Sequence, residues 1–493
     1  MKRLLTGLLA GLSVLAILSW LGVACGRLGY PFELEWQEGG LLQHMERLMA
    51  GETCYGAPSL EYAPFPYPPL FPLLGVLLTP FLGASFTALR LVSLLATLAT
   101  LALLMRLASL DAERSAGPLP GLVAAGFYAA CFPLAGAWFD VARVDSLWLA
   151  LILGAGAVLR VAPQVRSSPR HGALAGALLF LALCTKQTAL PLAILLALPA
   201  FQRGRSCGKA FLAALWIPAA LAFMGSHFVT AGWSTRHLFL MPAAHPFSAE
   251  RALSFWTVDL IPQLPVALGL TCAYLFRPAP IKGTRRCLLA PMLSIGLISV
   301  AWLSRAHVGG WDNVLMPLCA ALSLGLAWGV ERWMAGWGRG GANGAGPWAR
   351  ALLALLICGQ FLFLWRDPRP QIPGAEARAA GEDFVAELKE TGGEVWVPYH
   401  AYLAVLAGSP AGAHAMGLID LMRGADPSAA APLVAELEAD LARRRWSAIY
   451  LDQAWDLPAL EANYRRDPRF VPAVELAPVT GEATFPRHRY LPR

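Results

Sequence analysis

Three carboxylates, Glu33, Glu35 and Glu38, fall within six residues in the stretch ELEWQEGG, just after the first long apolar run. Acids beside a bilayer are costly unless water, a partner or a substrate receives them. Such acids can take a proton from an attacking group. Cations that could hold an anion stand on later segments. They are Arg143 in WFDVARVDSLW, Lys186 in CTKQ, and Arg305 and His307 in SRAHVGGWDN. Asp140 and Asp145 flank Arg143, and either could join a loop glutamate as oxygen ligands of a divalent cation such as Mg or Mn. Tyr62 and Tyr67 sit in a Pro/aromatic stretch and suit either a substrate platform or an aromatic belt at the membrane interface. Each residue also has a structural use. Glu38 favours a helix N-terminus, Asp140 can pair with Arg143, Lys186 can snorkel to lipid head groups, and His307 can cap a loop.

The elements that must position these residues can be read around them. After Glu38, the spacing of Leu41, Leu42, Met45, Leu48 and Met49 predicts a short amphipathic helix. Gln43, Glu46 and Arg47 take its other face and Gly51 ends it; such a helix is expected to lie on the membrane surface. Pro64, Pro66, Pro68 and Pro69 stiffen the following stretch. Leu70–Gly83 is apolar but short, spanning about 21 Å as helix against a hydrocarbon core of ~30 Å. It reads as a second surface or re-entrant helix.

The composition belongs to a polytopic membrane protein. The 493 residues are 57% hydrophobic and 14% charged, with mean hydropathy +0.52, whereas soluble domains carry about 25% charged residues. Eleven spans are expected, the first at Leu4–Ala24 and the last at Trp348–Trp365, making a mainly α transmembrane bundle over residues 1–365 with a first outer loop at 25–85. If Leu70–Gly83 does not cross, 17 Lys/Arg up to residue 365 fall on the cytoplasmic side and 8 outside. That asymmetry puts the N-terminus in the cytoplasm of a bacterial-type inner membrane and all the candidate site residues outside. It also accounts for the pI near 9.0 without a nucleic-acid partner. Cys25 and Cys54 could both face outward, where a disulfide is allowed. A Gly-rich cytoplasmic stretch, Gly338–Gly346, reads as a linker. Residues 366–493 shift to a soluble, extracytoplasmic composition with a helix at Ala375–Lys389, strands around Val395–Val397 and Ala448–Leu451, and a helix at Pro432–Arg445. These make a small α/β domain.

The ordered set EWQEGG, AGETCY, YPPL, RLVSLL, ARVDSLW, CTKQ and HVGGWDNVLMP resembles the GT-C superfamily of polyprenyl-phosphate-sugar glycosyltransferases, over roughly residues 1–365. The branch is that of the protein O-mannosyltransferases and lipid A aminoarabinose transferases. The resemblance implies transfer of a sugar from a polyprenyl-phosphate donor to a lipid, glycan or protein acceptor among membrane lipids. Where the family usually has an Asp-Glu pair at the start of the surface helix, this chain has Gln37-Glu38. The catalytic base therefore stays open between Glu38 and Glu35. Lys186, Arg143, Arg305 and His307 would bind the donor phosphate, and Tyr62 and Tyr67 the sugar or acceptor. A transporter or flippase is the competing class, but its charges are expected at the membrane midplane and not at one face. A non-catalytic scaffold or polysaccharide polymerase would not need separate acidic and basic loops.

Overall fold

The computed structural model describes residues 1–109, 117–161, 168–276, 287–336, 346–423 and 427–493. Arg114, Arg166, Arg277, Lys282, Arg285, Arg286, Arg339 and most of the Gly-rich stretch at 338–346 lie outside the described residues.

The chain opens with α1 (Lys2–Arg27), crosses to α2 (Glu38–Met49) and α3 (Leu70–Leu82), and enters the bundle at α4 (Phe86–Ser109). The bundle continues through α5 (Leu119–Ala130), α6 (Asp145–Val161), α7 (Pro169–Leu183), α8 (Leu190–Gln202) and α9 (Arg205–Val229). It ends with α10 (Pro265–Leu275), α11 (Leu289–Ala306), α12 (Met316–Gly336) and α13 (Pro347–Leu364). Helices thus stand at all eleven expected segments. Among the described residues only six are long and apolar enough alone to cross a membrane, or seven if the pair Ala249–Leu260 and Pro265–Leu275, bent by 102°, counts as one. The expected run Leu119–Phe139 illustrates the shortfall. Its helix stops at Ala130, and the chain then turns through Gly136 and Ala137 at φ of 66° and 56°.

At the centre, the apolar window of Asp312–Met334 is wholly buried, while that of Arg205–Val229 is only 28% buried. The outer helix turns Ile217, Leu221, Met224 and Phe228 outward, as lipid-facing side chains must. Small residues bring helices together: a Cβ on Gly172 would strike the Cys207 carbonyl, and one on Gly176 the Phe211 carbonyl, so α7 and α9 touch backbone to backbone.

The last part of the chain carries α14 (Ala375–Thr391), α15 (Ala415–Arg423), α16 (Pro427–Ala442) and a four-stranded sheet. The strands are β1 (Val395–Trp396), β2 (Ala448–Leu451), β3 (Tyr464–Arg466) and β4 (His488–Pro492), in the order β1-β2-β4-β3. β1 runs parallel to β2, and β4 runs antiparallel to both its neighbours. This unit sits on the first loop: Gln43 Nε2 donates to Gly412 O at 2.6 Å, and Ala413 N to Leu60 O at 2.7 Å.

That seat corrects the expected surface helix. α2 begins at Glu38 and gives way to Gly51 at φ 75°, as its sequence implies. Yet Gln43 and His44 are buried along with Leu41 and Met45. Its first two turns are enclosed between bundle and C-terminal unit, while Glu46 and Arg47 are only half-buried and Met49 is exposed. Cys25 and Cys54 are both free thiols.

Candidate active site

The loops after α1, between α5 and α6, between α7 and α8, and before α12 meet at one end of the bundle. A cavity of about 750 Å³ lies there under the C-terminal unit. It is lined by Glu35, Gln37, Tyr67, Arg143, Lys186 and His307 from the bundle side, and by Tyr399, Gln453 and Glu482 from the unit above.

Glu35 and Glu38 differ sharply. Glu38 does not line the cavity. Its carboxylate accepts from Arg90 at 3.0 and 2.5 Å, from Leu34 N at 2.7 Å and from Ala142 N at 2.6 Å. Burial pushes this acid up, but Arg90 and the two backbone donors outweigh burial and hold its pKa below the ordinary value. Arg90 also donates to Tyr30 O and Phe32 O, both at 2.6 Å, so the pair ties the acidic loop to α4. Glu35 lines the cavity with only one carboxylate oxygen paired, Oε2 to Arg143 Nη1 at 3.0 Å. Its Oε1 has no hydrogen-bond partner. Burial drives its carboxyl up, Arg143 draws it partly back and Glu38 adds to the rise, leaving it at about 7.

Arg143 is the hub of the cavity. Besides Glu35 it donates to Gln37 Oε1 at 2.5 Å and to the Tyr67 hydroxyl at 3.1 Å. Burial disfavours its charge, but Glu35 and Tyr67 restore it and its pKa rises. Lys186 Nζ lies 2.7 Å from Asp145 Oδ1 and 6.0 Å from the Tyr67 ring centre. Burial opposes the ammonium, yet Asp145 and Tyr67 raise its pKa, so it stays charged. Its turn is fixed by Gln187, whose Nε2 donates to Pro66 O at 2.9 Å and Leu238 O at 2.8 Å.

The other expected residues divide between the cavity and its surroundings. Arg305 is held by Asp259 at 2.8 and 3.0 Å and by Asp312 at 3.1 Å, and does not line it. Arg251, which the sequence did not single out, lines it instead. Arg251 donates to Arg305 O at 3.1 Å and to Gly310 O. His307 lines the cavity with Nδ1 bonded to Leu303 O at 2.8 Å. Tyr62 is buried outside the cavity, its hydroxyl on Cys54 O at 3.0 Å, whereas Tyr67 lines it. Asp140 is bound at both oxygens by Arg27, at 2.7 and 2.9 Å. Asp145 gives Oδ1 to Lys186 and leaves Oδ2 without a hydrogen-bond partner. Among the described residues no group of three or more His, Cys, Asp or Glu is placed to hold a metal.

No protein-family model matches the chain, and no curated protein matches it in sequence. Solved structures do. ArnT from Cupriavidus metallidurans bound to undecaprenyl phosphate superposes with a TM-score of 0.58 at 14% identity, covering 99% of this chain and 98% of that one. The same protein in the apo state gives 0.52 at 16% identity, with 99% and 98% covered. The archaeal oligosaccharyltransferase AglB from Archaeoglobus fulgidus, in complex with an inhibitory peptide and a dolichol-phosphate, gives 0.54 at 10% identity over 90% of this chain and 69% of that one. The chain therefore shares the fold of these proteins. The match spans the C-terminal unit as well as the bundle, beyond the residues that carry the motifs.

Proposed function

We propose that the protein is a membrane glycosyltransferase. It moves a sugar from a polyprenyl-phosphate donor to a hydroxyl of a lipid, glycan or protein acceptor on the outer face of the cytoplasmic membrane. The observation that carries this reading is the pairing, in one cavity, of a carboxylate with a pKa of about 7 with the charged Arg143 and Lys186. The solved likenesses bound to undecaprenyl phosphate and dolichol-phosphate support a lipid-phosphate ligand.

The reaction breaks the bond between the anomeric carbon and the phosphate oxygen and forms one to the acceptor oxygen. The acceptor's proton passes to Glu35, the base that Glu38 cannot be while its oxygens are filled. A carboxyl near 7 is half ionised at neutral pH, close to the optimum for a general base. The electron pair leaves on the lipid phosphate. Lys186 and Arg143 face that developing charge, and fixed cations stabilise it more than the ground state. Tyr67 bridges the two cations and orients them. Arg251 and His307 also line the cavity.

The test is direct. The purified protein is incubated with undecaprenyl-phosphate-linked sugars carrying a radiolabel in the sugar. The expected result is acceptor-dependent loss of label from the lipid with release of undecaprenyl phosphate. A lipid that keeps its label with every donor and acceptor would refute the reading.

A further inference from the structure

A buried cluster outside the cavity joins the C-terminal unit to the acidic loop. His400 Nδ1 lies 2.5 Å from Glu33 Oε2, and its Nε2 lies 3.0 Å from Asp452 Oδ2. All three side chains are 2% exposed. Each of these contacts needs one proton between its two groups, carried by the imidazole or by the carboxyl. Burial opposes charge on His400, but Asp452 and Glu33 override it and push His400 up to about 10, while burial outweighs His400 at Glu33 and pushes that carboxyl up to about 8. Glu33 passes the grip on, because its Oε1 accepts from Gly39 N at 3.0 Å in the first turn of α2. A Cβ on Gly39 would sit 2.5 Å from that oxygen, so the contact needs glycine.

The neighbours of Glu33 are held from the same side. Leu34 O accepts from Thr480 N at 3.1 Å, and Trp36 O bonds His414 Nε2 at 2.9 Å. Glu33 N donates to the Tyr402 hydroxyl at 3.2 Å. Glu35 itself rests against Gly481, where an added Cβ would meet its Cγ at 3.0 Å. Residues 33, 34 and 36 are thus fastened to the C-terminal unit, and Glu35, fully buried between them, stands at the cavity wall.

We propose that His400 is a positioning residue, which, held by Asp452 and gripping Glu33, fixes the Glu33–Gln37 segment from the C-terminal unit and so aims Glu35. The inference rests on the proposed role of Glu35. It makes the C-terminal unit part of the catalytic geometry and not only a cover. A displacement of about 1 Å in such a group costs on the order of 10²-fold in rate.

The test is a double-mutant cycle on the full chain. His400→Gln is expected to lower kcat about 10–100-fold, with KM for the lipid donor unchanged, since Lys186 and Arg143 are untouched. Asp452→Asn, which keeps the imidazole and Glu33 in place, should act in the same direction and more weakly, and it covers the case in which His400→Gln does not fold. In a Glu35→Gln background, His400→Gln should add no further loss, because a base already removed cannot be misaimed. Amide hydrogen exchange at residues 33–38 should speed up in both His400→Gln and Asp452→Asn. Losses that add in full would make the cluster a general stabiliser and overturn the proposal, as would unchanged exchange in this segment. Full activity of Glu35→Gln alone would refute the base assignment, while the exchange data would still decide whether His400 holds the loop.

Discussion

Glu38→Gln separates the two acids by what each change costs. In the folded protein Glu38 receives two bonds from Arg90 and one each from Leu34 N and Ala142 N. A glutamine keeps the shape but turns an amide, a donor, toward other donors. It also leaves the Arg90 guanidinium, itself fully buried, without its counter-charge. Breaking one partner of a buried ion pair costs about 3–5 kcal/mol, and each orphaned buried backbone donor about 1–3 kcal/mol more. A membrane protein losing that much is expected to show a clearly lowered unfolding midpoint in detergent. Arg90→Met/Glu38→Gln does not return to neutrality, because Tyr30 O and Phe32 O lose their donors as well. The assay is denaturant unfolding followed by intrinsic fluorescence, with sugar transfer per folded molecule measured in parallel. The expected outcome is a large stability loss with residual turnover among the molecules that remain folded. Wild-type stability combined with abolished turnover would refute the reasoning and return the base role to Glu38.

The remaining expectations concern the cavity. Glu35→Gln takes the counter-charge from buried Arg143 but keeps an oxygen to accept from it, so it should cost less stability than Glu38→Gln, and it should reduce kcat by about 10²–10⁴-fold, the usual contribution of a general base. The base works only deprotonated, so kcat/KM should rise with pH through an acidic limb near the Glu35 value of about 7. A limb at the ordinary carboxylate value would exclude Glu35. Arg143 lowers that value, so in Arg143→Met the limb should move to higher pH, alongside weakened donor binding. Lys186→Met should lose transfer with every acceptor, because the defect is on the donor side. It also strands the buried Asp145 carboxylate. Lys186→Met/Asp145→Asn should therefore recover stability without recovering transfer, and recovery of both would reduce Lys186 to a counter-ion.

The sequence shows most of what local physics controls. The apolar runs place eleven helices. The 3.5-residue spacing after Glu38 places α2, and Arg143 and Lys186 arrive at one cavity because short hydrophobic segments force their turns to the same end of the bundle. What it cannot show is pairing between distant segments. Glu38 and Arg90 stand 52 positions apart, and Glu33 and His400 stand 367 apart. Nothing in the local pattern around Glu38 marks its oxygens as filled, so Glu35 and Glu38 look equivalent from their neighbours alone. Arg305 and Arg251 show the same limit. Both stand near Gly310, and only the partners Asp259 and Asp312 decide that Arg305 is spent on neutralisation while Arg251 lines the cavity. Strands β3 and β4 leave little trace either, since three and five residues with one buried side chain each carry no period-2 signal.

The enclosure of α2 explains how these acids differ at all. A helix lying on a membrane would leave Glu33, Glu35 and Glu38 in water, each near its ordinary carboxylate value and none distinguished. Covering the loop with the C-terminal unit removes that water, and every acid must then be answered individually. Glu38 meets Arg90 and two amides and is lowered, while Glu33 meets His400 and stays raised. Glu35 meets one arginine at one oxygen and is left raised. Burial alone would raise all three; the supply of partners lowers Glu38 but leaves Glu33 at about 8 and Glu35 at about 7, and of these two only Glu35 lines the cavity. The cover and the bundle thus act together. Burial supplies the general rise, the bundle's arginines cancel it at Glu38, and the incomplete answer at Glu35 is where chemistry can occur.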